Sequence, residues 1–90
     1  MNENIIYVKA KNYDKWERMR EAQKIFNSLN IKFKVFNNGI QWIIYNEDEE
    51  LEYFPTTGRW RVKDNPNTKT QQTYLIGILR HMDYIVEEIV

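Results

Sequence analysis

His81 is the single histidine of the chain, and there is no cysteine. Thiol catalysis, disulfides and cysteine-bound metals are therefore excluded, and any nucleophilic mechanism that needs an imidazole base would rest on His81 alone. His81 falls beside an apolar helical stripe, with Tyr84 and Glu88 at helical spacings. That setting suits a satisfied or solvated surface histidine better than a catalytic one. No carboxylates stand at a ligand-like spacing from it, so a zinc site has no donor set. The three glycines are scattered, and no glycine-rich loop could cradle a phosphate. The chain is read as non-enzymatic, with no cofactor.

Two constellations remain. The first is acidic: Glu47, Asp48, Glu49 and Glu50, followed by Glu52. Hard cations favour several oxygens, but the run lacks the residue order of a calcium loop. It reads as a solvated hairpin loop, or as a docking site for a basic partner surface. The second is basic and aromatic: Lys32, Lys34, Phe36, Tyr45, Phe54, Arg59, Arg61 and Lys63. Cations interleaved with aromatic rings are what single-stranded nucleic acid binding uses, because bases stack on rings while phosphates meet cations. The same residues would also serve a protein interface, or simply keep exposed strands from aggregating.

These side chains act together only if the chain places them on one surface. Ile31 to Phe36 alternate in character, as do Ile40 to Tyr45, and Asn37-Asn38-Gly39 lies between them. Asn-Gly between alternating runs predicts a hairpin with a type I′ turn, which needs positive φ at both central residues. With Asn38-Gly39 as the loop, Phe33 faces Ile44, Val35 faces Trp42 and Asn37 faces Ile40. One face then holds Ile31, Phe33, Val35, Ile40, Trp42 and Ile44. The other holds Lys32, Lys34, Phe36, Gln41, Ile43 and Tyr45. Leu51 to Phe54 predicts a third strand. Pro55-Thr56-Thr57-Gly58 predicts a turn, and Arg59 to Lys63 a fourth strand with Trp60 and Val62 inward. Ile43 and Phe36 on the outer face suggest cover by the N-terminal strand or by a partner chain, which leaves a homodimer open.

Helices flank these strands. Trp16, Met19, Ala22, Phe26 and Leu29 recur at spacings of three and four and predict a helix over 13–29. Asn12 can cap it, or Asp14 with Glu17 three residues on, and Asn30 can end it in the left-handed conformation. A last helix is predicted over about 70–88, capped by Thr70 or Thr73, with Leu75, Ile78, Leu79, Met82, Ile85 and Ile89 as its stripe. Ile5 to Val8 is a short candidate strand. The fold class is α+β: an antiparallel meander of about four strands with two helices on one face, in the order (β)-α-β-β-β-β-α, within a single domain over 1–90. Trp16, Met19, Phe26, Leu29, Phe33, Val35, Trp42, Ile44, Trp60, Val62, Leu75, Ile78, Met82 and Ile85 are its expected core.

Composition sets the outer limits. Ninety residues allow one thin core, and aromatics at 14% must supply much of it. Thirteen basic and thirteen acidic residues cancel, which argues against a strongly basic nucleic-acid binder. The halves differ, with eight cations and four acids in 1–45 against five and nine in 46–90. No apolar run is long enough to span a membrane, and the polar start does not read as a signal peptide. The expected location is the cytoplasm.

Tyr53-Phe54-Pro55-Thr56-Thr57-Gly58-Arg59-Trp60, preceded by the hairpin of Phe36 to Trp42, resembles small uncharacterised proteins of phages and prophages. Those carry an aromatic-Pro-Ser/Thr-Thr-Gly-Lys/Arg-Trp turn after an aromatic hairpin. The resemblance covers about residues 31–63 and brings no established chemistry. It implies a phage or mobile-element accessory protein that binds a host or phage protein, such as an antidefence inhibitor. Binding of nucleic acid through the basic-aromatic face is the alternative. The α-β-β-β-α order is similar to double-stranded RNA-binding domains, but that family's basic cluster at the start of the last helix is missing. Lys69 stands almost alone there, and a likeness of fold carries no function.

Overall fold

A computed structural model describes residues 5–9, 14–65, 71–72 and 74–89. The elements are β1 (Ile5–Lys9), α1 (Lys15–Ser28), β2 (Lys32–Phe36), β3 (Gln41–Asn46), β4 (Glu49–Phe54), β5 (Arg59–Val62), β6 (Gln71–Gln72), α2 (Tyr74–His81) and β7 (Ile85–Ile89). Strands β2 to β6 form one antiparallel sheet in sequence order, and β1 pairs in parallel with β7 in a separate ribbon. The fold is α+β, with the four-stranded meander β2-β3-β4-β5 at its centre and the two-residue β6 at one edge.

Local signals explain the boundaries. Asp14 caps α1, accepting from the backbone N–H of Trp16 at 2.8 Å and of Glu17 at 3.4 Å. The alternative cap, Asn12, lies outside the described residues, as do Thr70 and Thr73. Asn30 ends the helix at φ 57°, where the Ile31 N–H reaches the Phe26 carbonyl and the Asn30 N–H the Asn27 carbonyl. This is a Schellman end with asparagine in the left-handed position. The first hairpin has the expected register, from Lys32↔Tyr45 to Phe36↔Gln41. Asn38 (φ 57°) and Gly39 (φ 94°) make the type I′ turn, closed by the Ile40 N–H on the Asn37 carbonyl at 3.3 Å. Asn37 itself is at φ 52°, so the ladder stops one pair before the expected Asn37–Ile40 pairing.

The end of the chain departs from the helix expected over 70–88. That helix stops at His81, because Asp83 takes φ 69° and forms a second Schellman end, Tyr84 N–H to Leu79 and Asp83 N–H to Arg80. Ile85-Val86-Glu87-Glu88-Ile89 then runs as β7, in register with β1 from Ile5↔Ile85 to Lys9↔Ile89. Ile85 and Ile89 therefore belong to no helical stripe; both are exposed, and Val86 is the residue that enters the core.

The core lies on one face of the sheet. Phe26 of α1 packs on Phe33, Trp42 and Tyr53, with ring centroids 5.5 to 5.8 Å apart. Leu75, Ile76, Ile78 and Leu79 of α2 and Met82 just after it join the same cluster, as do Val8 and Val86 of the ribbon. So many buried positions on so short a helix leave little room for a solvent face, and α2 contacts both β5 and β7. Trp16 and Val35, expected inside, are 48% and 51% exposed. Trp16 sits in the first turn of α1, and Val35 on the outermost strand near the hairpin tip. Leu51 and Tyr53, not expected in the core, are among its most buried members.

Removing the ring that joins helix to sheet by Phe26→Ala is expected to cost about 3–5 kcal/mol in urea unfolding. Burial pushes the Tyr53 phenol well above its usual range; the Glu21 carboxylate adds to this and Arg18 opposes it. The folded state thus holds this proton more tightly than the unfolded chain does. That contribution is complete below pH ~10 and is lost as pH rises beyond it. The urea midpoint is expected to fall between pH 9 and 11, and less steeply in Tyr53→Phe.

Candidate functional site

Alternation along the meander sends one set of side chains to the core and the other to the open face. Pairing of β2 with β3, β3 with β4 and β4 with β5 aligns this open set into rows. One row holds Lys32, Tyr45 and Glu50, extended by Lys63, whose backbone N–H donates to the Glu50 carbonyl at 2.8 Å. The next holds Lys34, Ile43, Glu52 and Arg61. The third pairs Phe36 with Gln41 on one side of the sheet and Phe54 with Arg59 on the other. All eight basic and aromatic residues expected to share a surface do so.

Two glutamates lie at the centre of that surface. Leu51 and Tyr53 point inward, so Glu50 and Glu52 must point outward. Glu52 is only 7% exposed. Its Oε1 accepts from Arg61 Nε at 2.7 Å and its Oε2 from Gln41 Nε2 at 2.7 Å. Gln41 accepts in turn from Asn37 Nδ2, which ties the hairpin turn to the same network. Lys63 Nζ reaches Glu50 Oε2 at 3.3 Å, and this hydrogen bond raises the lysine pKa above its ordinary value. Arg61 and Lys63 are therefore paired cations. Lys32, Lys34 and Arg59 make no ion pair among the described residues.

The acidic run does not form one loop. Only Glu47 and Asp48 make the turn, with Glu47 at φ 49°, and both are exposed. Glu49 and Glu50 belong to β4. Glu49 Oε1 lies 2.6 Å from His81 Nε2, and the His81 ring lies 5.0 Å from that of Trp60. His81 is thus held between a carboxylate and a core indole rather than beside Tyr84 and Glu88. The four acids separate into a two-residue tip, a partner for α2 and a partner for Lys63.

Pro55 to Gly58 is a four-residue turn that leads into Arg59 and Trp60 of β5. The Phe54 carbonyl accepts from the Thr57 N–H at 3.2 Å and the Gly58 N–H at 2.7 Å, with Gly58 at φ 78°. Arg18 of α1 donates Nε and Nη2 to the Thr56 carbonyl, at 3.0 and 2.5 Å. Trp60 enters the core and Arg59 points outward, as the alternation of this strand predicts. The turn serves as an anchor for the start of α1.

Ile43 lies on the open face yet is only 6% exposed, between Lys34 and Glu52 in register. The N-terminal strand does not cover it, because β1 pairs with β7 and turns Val8 into the core. The outward side of that ribbon exposes Ile5, Tyr7, Ile85 and Ile89. No group of three or more metal-ligating side chains occurs among the described residues, and no described helix is long and apolar enough to cross a membrane. Comparison of the chain with protein-family models, curated proteins and solved structures gives no match.

The two arginines of β5 separate the paired cations from the unpaired. Arg61→Ala leaves the buried Glu52 carboxylate with Gln41 as its remaining neighbour and is expected to cost about 1–3 kcal/mol. Arg59→Ala is expected to stay within about 0.5 kcal/mol. Urea midpoints of the two variants at pH 7 test this ordering.

Proposed function

We propose that this chain is a non-enzymatic accessory protein of a phage or mobile element that binds a host or phage protein in the bacterial cytoplasm and inhibits or adapts it. The observation that carries the protein-binding reading is the pair of glutamates, Glu50 and Glu52, in the middle of the open sheet face. A nucleic acid strand laid across the face would bring phosphates over two carboxylates, and two of the five cations are already engaged by them. Mixed charge around exposed Phe36 and Tyr45 matches the composition of protein interfaces, where aromatic anchors sit among polar groups. The Tyr53–Trp60 segment adds its likeness to phage and prophage proteins.

Lys32, Lys34 and Arg59 favour the second reading, a nucleic-acid-binding protein, because they remain available to phosphates. The two differ in their dependence on salt and nuclease. Affinity capture from bacterial lysate, with and without nuclease, is expected to retain one protein at equal yield. Co-purifying proteins lost on nuclease treatment, with an affinity that falls steeply as salt rises, would move the assignment to nucleic acid.

A further inference from the structure

β2 is an edge strand of the five-stranded sheet, and among the described residues no strand pairs with it on the side away from β3. Its five residues offer an edge of about 17 Å. One side of this strand is paired with β3; the other presents backbone N–H and C=O groups to solvent, the template for strand addition. Lysines on an edge strand discourage aggregation, but here they guard one face only. The other face brings Phe33 and the half-exposed Val35 to the same edge.

The rows across the sheet state what the edge lacks. Arg61 of β5 and Lys63 just past its end each have a glutamate beside them on β4. On β2, Lys34 and Lys32 have Ile43 and Tyr45 beside them on β3, which supply no counter-charge. Among the described residues, an acidic neighbour in the same cross-strand row can come only from the open side. A second copy of β2 does not provide them. Antiparallel pairing centred on Lys34 sets Lys34 opposite Lys34, and pairing centred on Phe33 sets Lys32 opposite Lys34. Like charges directly opposed destabilise a ladder. Pairing centred on Val35 leaves only residues 34–36 overlapping.

We propose that the β2 edge docks an extended segment of a partner protein in which acidic residues alternate with apolar ones. The acids lie opposite Lys32 and Lys34 on the open face, and the apolar side chains extend the core face beside Phe33 and Val35. Backbone hydrogen bonds supply the attachment and the alternation supplies the choice of partner. The proposal rests on the protein-binding reading above and adds to it the edge and the chemistry of the occupant.

The probes are short capped peptides carrying a fluorophore: one alternating glutamate with valine, one alternating lysine with valine, and the first again with every second amide N-methylated. Fluorescence anisotropy gives affinity, and amide chemical shifts give location. The glutamate peptide is expected to bind and to shift the amides of residues 32–36. The lysine and N-methylated peptides are expected to bind at least roughly tenfold more weakly. The double variant Lys32→Glu, Lys34→Glu is expected to reverse the preference between the glutamate and lysine peptides, a gain that a misfolded variant could not show. Equal affinity for the charged peptides, no binding of any peptide, or shifts that spare 32–36 would overturn the proposal. Capture from lysate separates it from the broader reading. A nuclease-resistant partner held equally by wild type and the double variant removes the edge assignment alone, whereas wild type retaining no such partner removes the protein-binding reading itself.

Discussion

Phe26 reaches from α1 into the angle between Phe33, Trp42 and Tyr53, and this ring cluster belongs to the one core that α2 and the ribbon also join. Phe33 stacks on Trp42 at 4.6 Å, and Trp42 meets Tyr53 edge-on at 5.8 Å. Offset and edge-to-face packing of this kind adds about 0.5–1.5 kcal/mol per pair beyond the area it buries. The four rings come from one helix and three consecutive strands. They therefore fix which face of the meander is inward, and so decide that the lysines, arginines and Glu52 lie outward. The open face is set from behind.

That face shows how an antiparallel sheet sorts charge. Side chains two residues apart on one strand share a surface, and cross-strand neighbours meet at about 5 Å. The spacing of Glu50 and Glu52 matches that of Arg61 and Lys63, and adjacent strands bring the two pairs together. Glu52 tolerates burial because both carboxylate oxygens accept hydrogen bonds, the condition under which a buried charge is retained. Lys32 and Lys34, which make no ion pair among the described residues, lie on the edge strand, where no described strand pairs on the outer side.

Much of this arrangement was legible in the residues. Alternation from Ile31 to Tyr45 with Asn-Gly between the runs was enough to place every pair of the first hairpin. Asn30 announced its helix end, because asparagine tolerates the left-handed conformation. Glu49 and Glu50 read as loop for a physical reason: a dense acidic run resembles a solvated turn, although they already belong to the strand that Leu51 to Phe54 predicts. The helical spacing of Leu75 to Met82 is prolonged by Ile85 by chance, and so predicts a C-terminal helix longer than α2. The counter-signals were Asp83, able to adopt positive φ, and the β-branched pair Ile85-Val86. Pairing of β7 with β1 was beyond a local reading, since neither strand is stable without the other. Trp16 and Val35 share the periodicity of the core but lie where its cover ends.

The β1–β7 ribbon joins residues eighty positions apart, Ile5 with Ile85. Contacts so distant along a chain form late, since the intervening loop must first be closed by other structure. The meander and α1 can assemble from neighbours in sequence, but Ile6 has no Val86 beside it until β7 has been made. During synthesis on a ribosome, β1 is thus the earliest of these segments to emerge and among the last to be satisfied. Its Ile5, Ile6 and Val8 then depend on the speed of translation, or on chaperones, to stay out of wrong pairings.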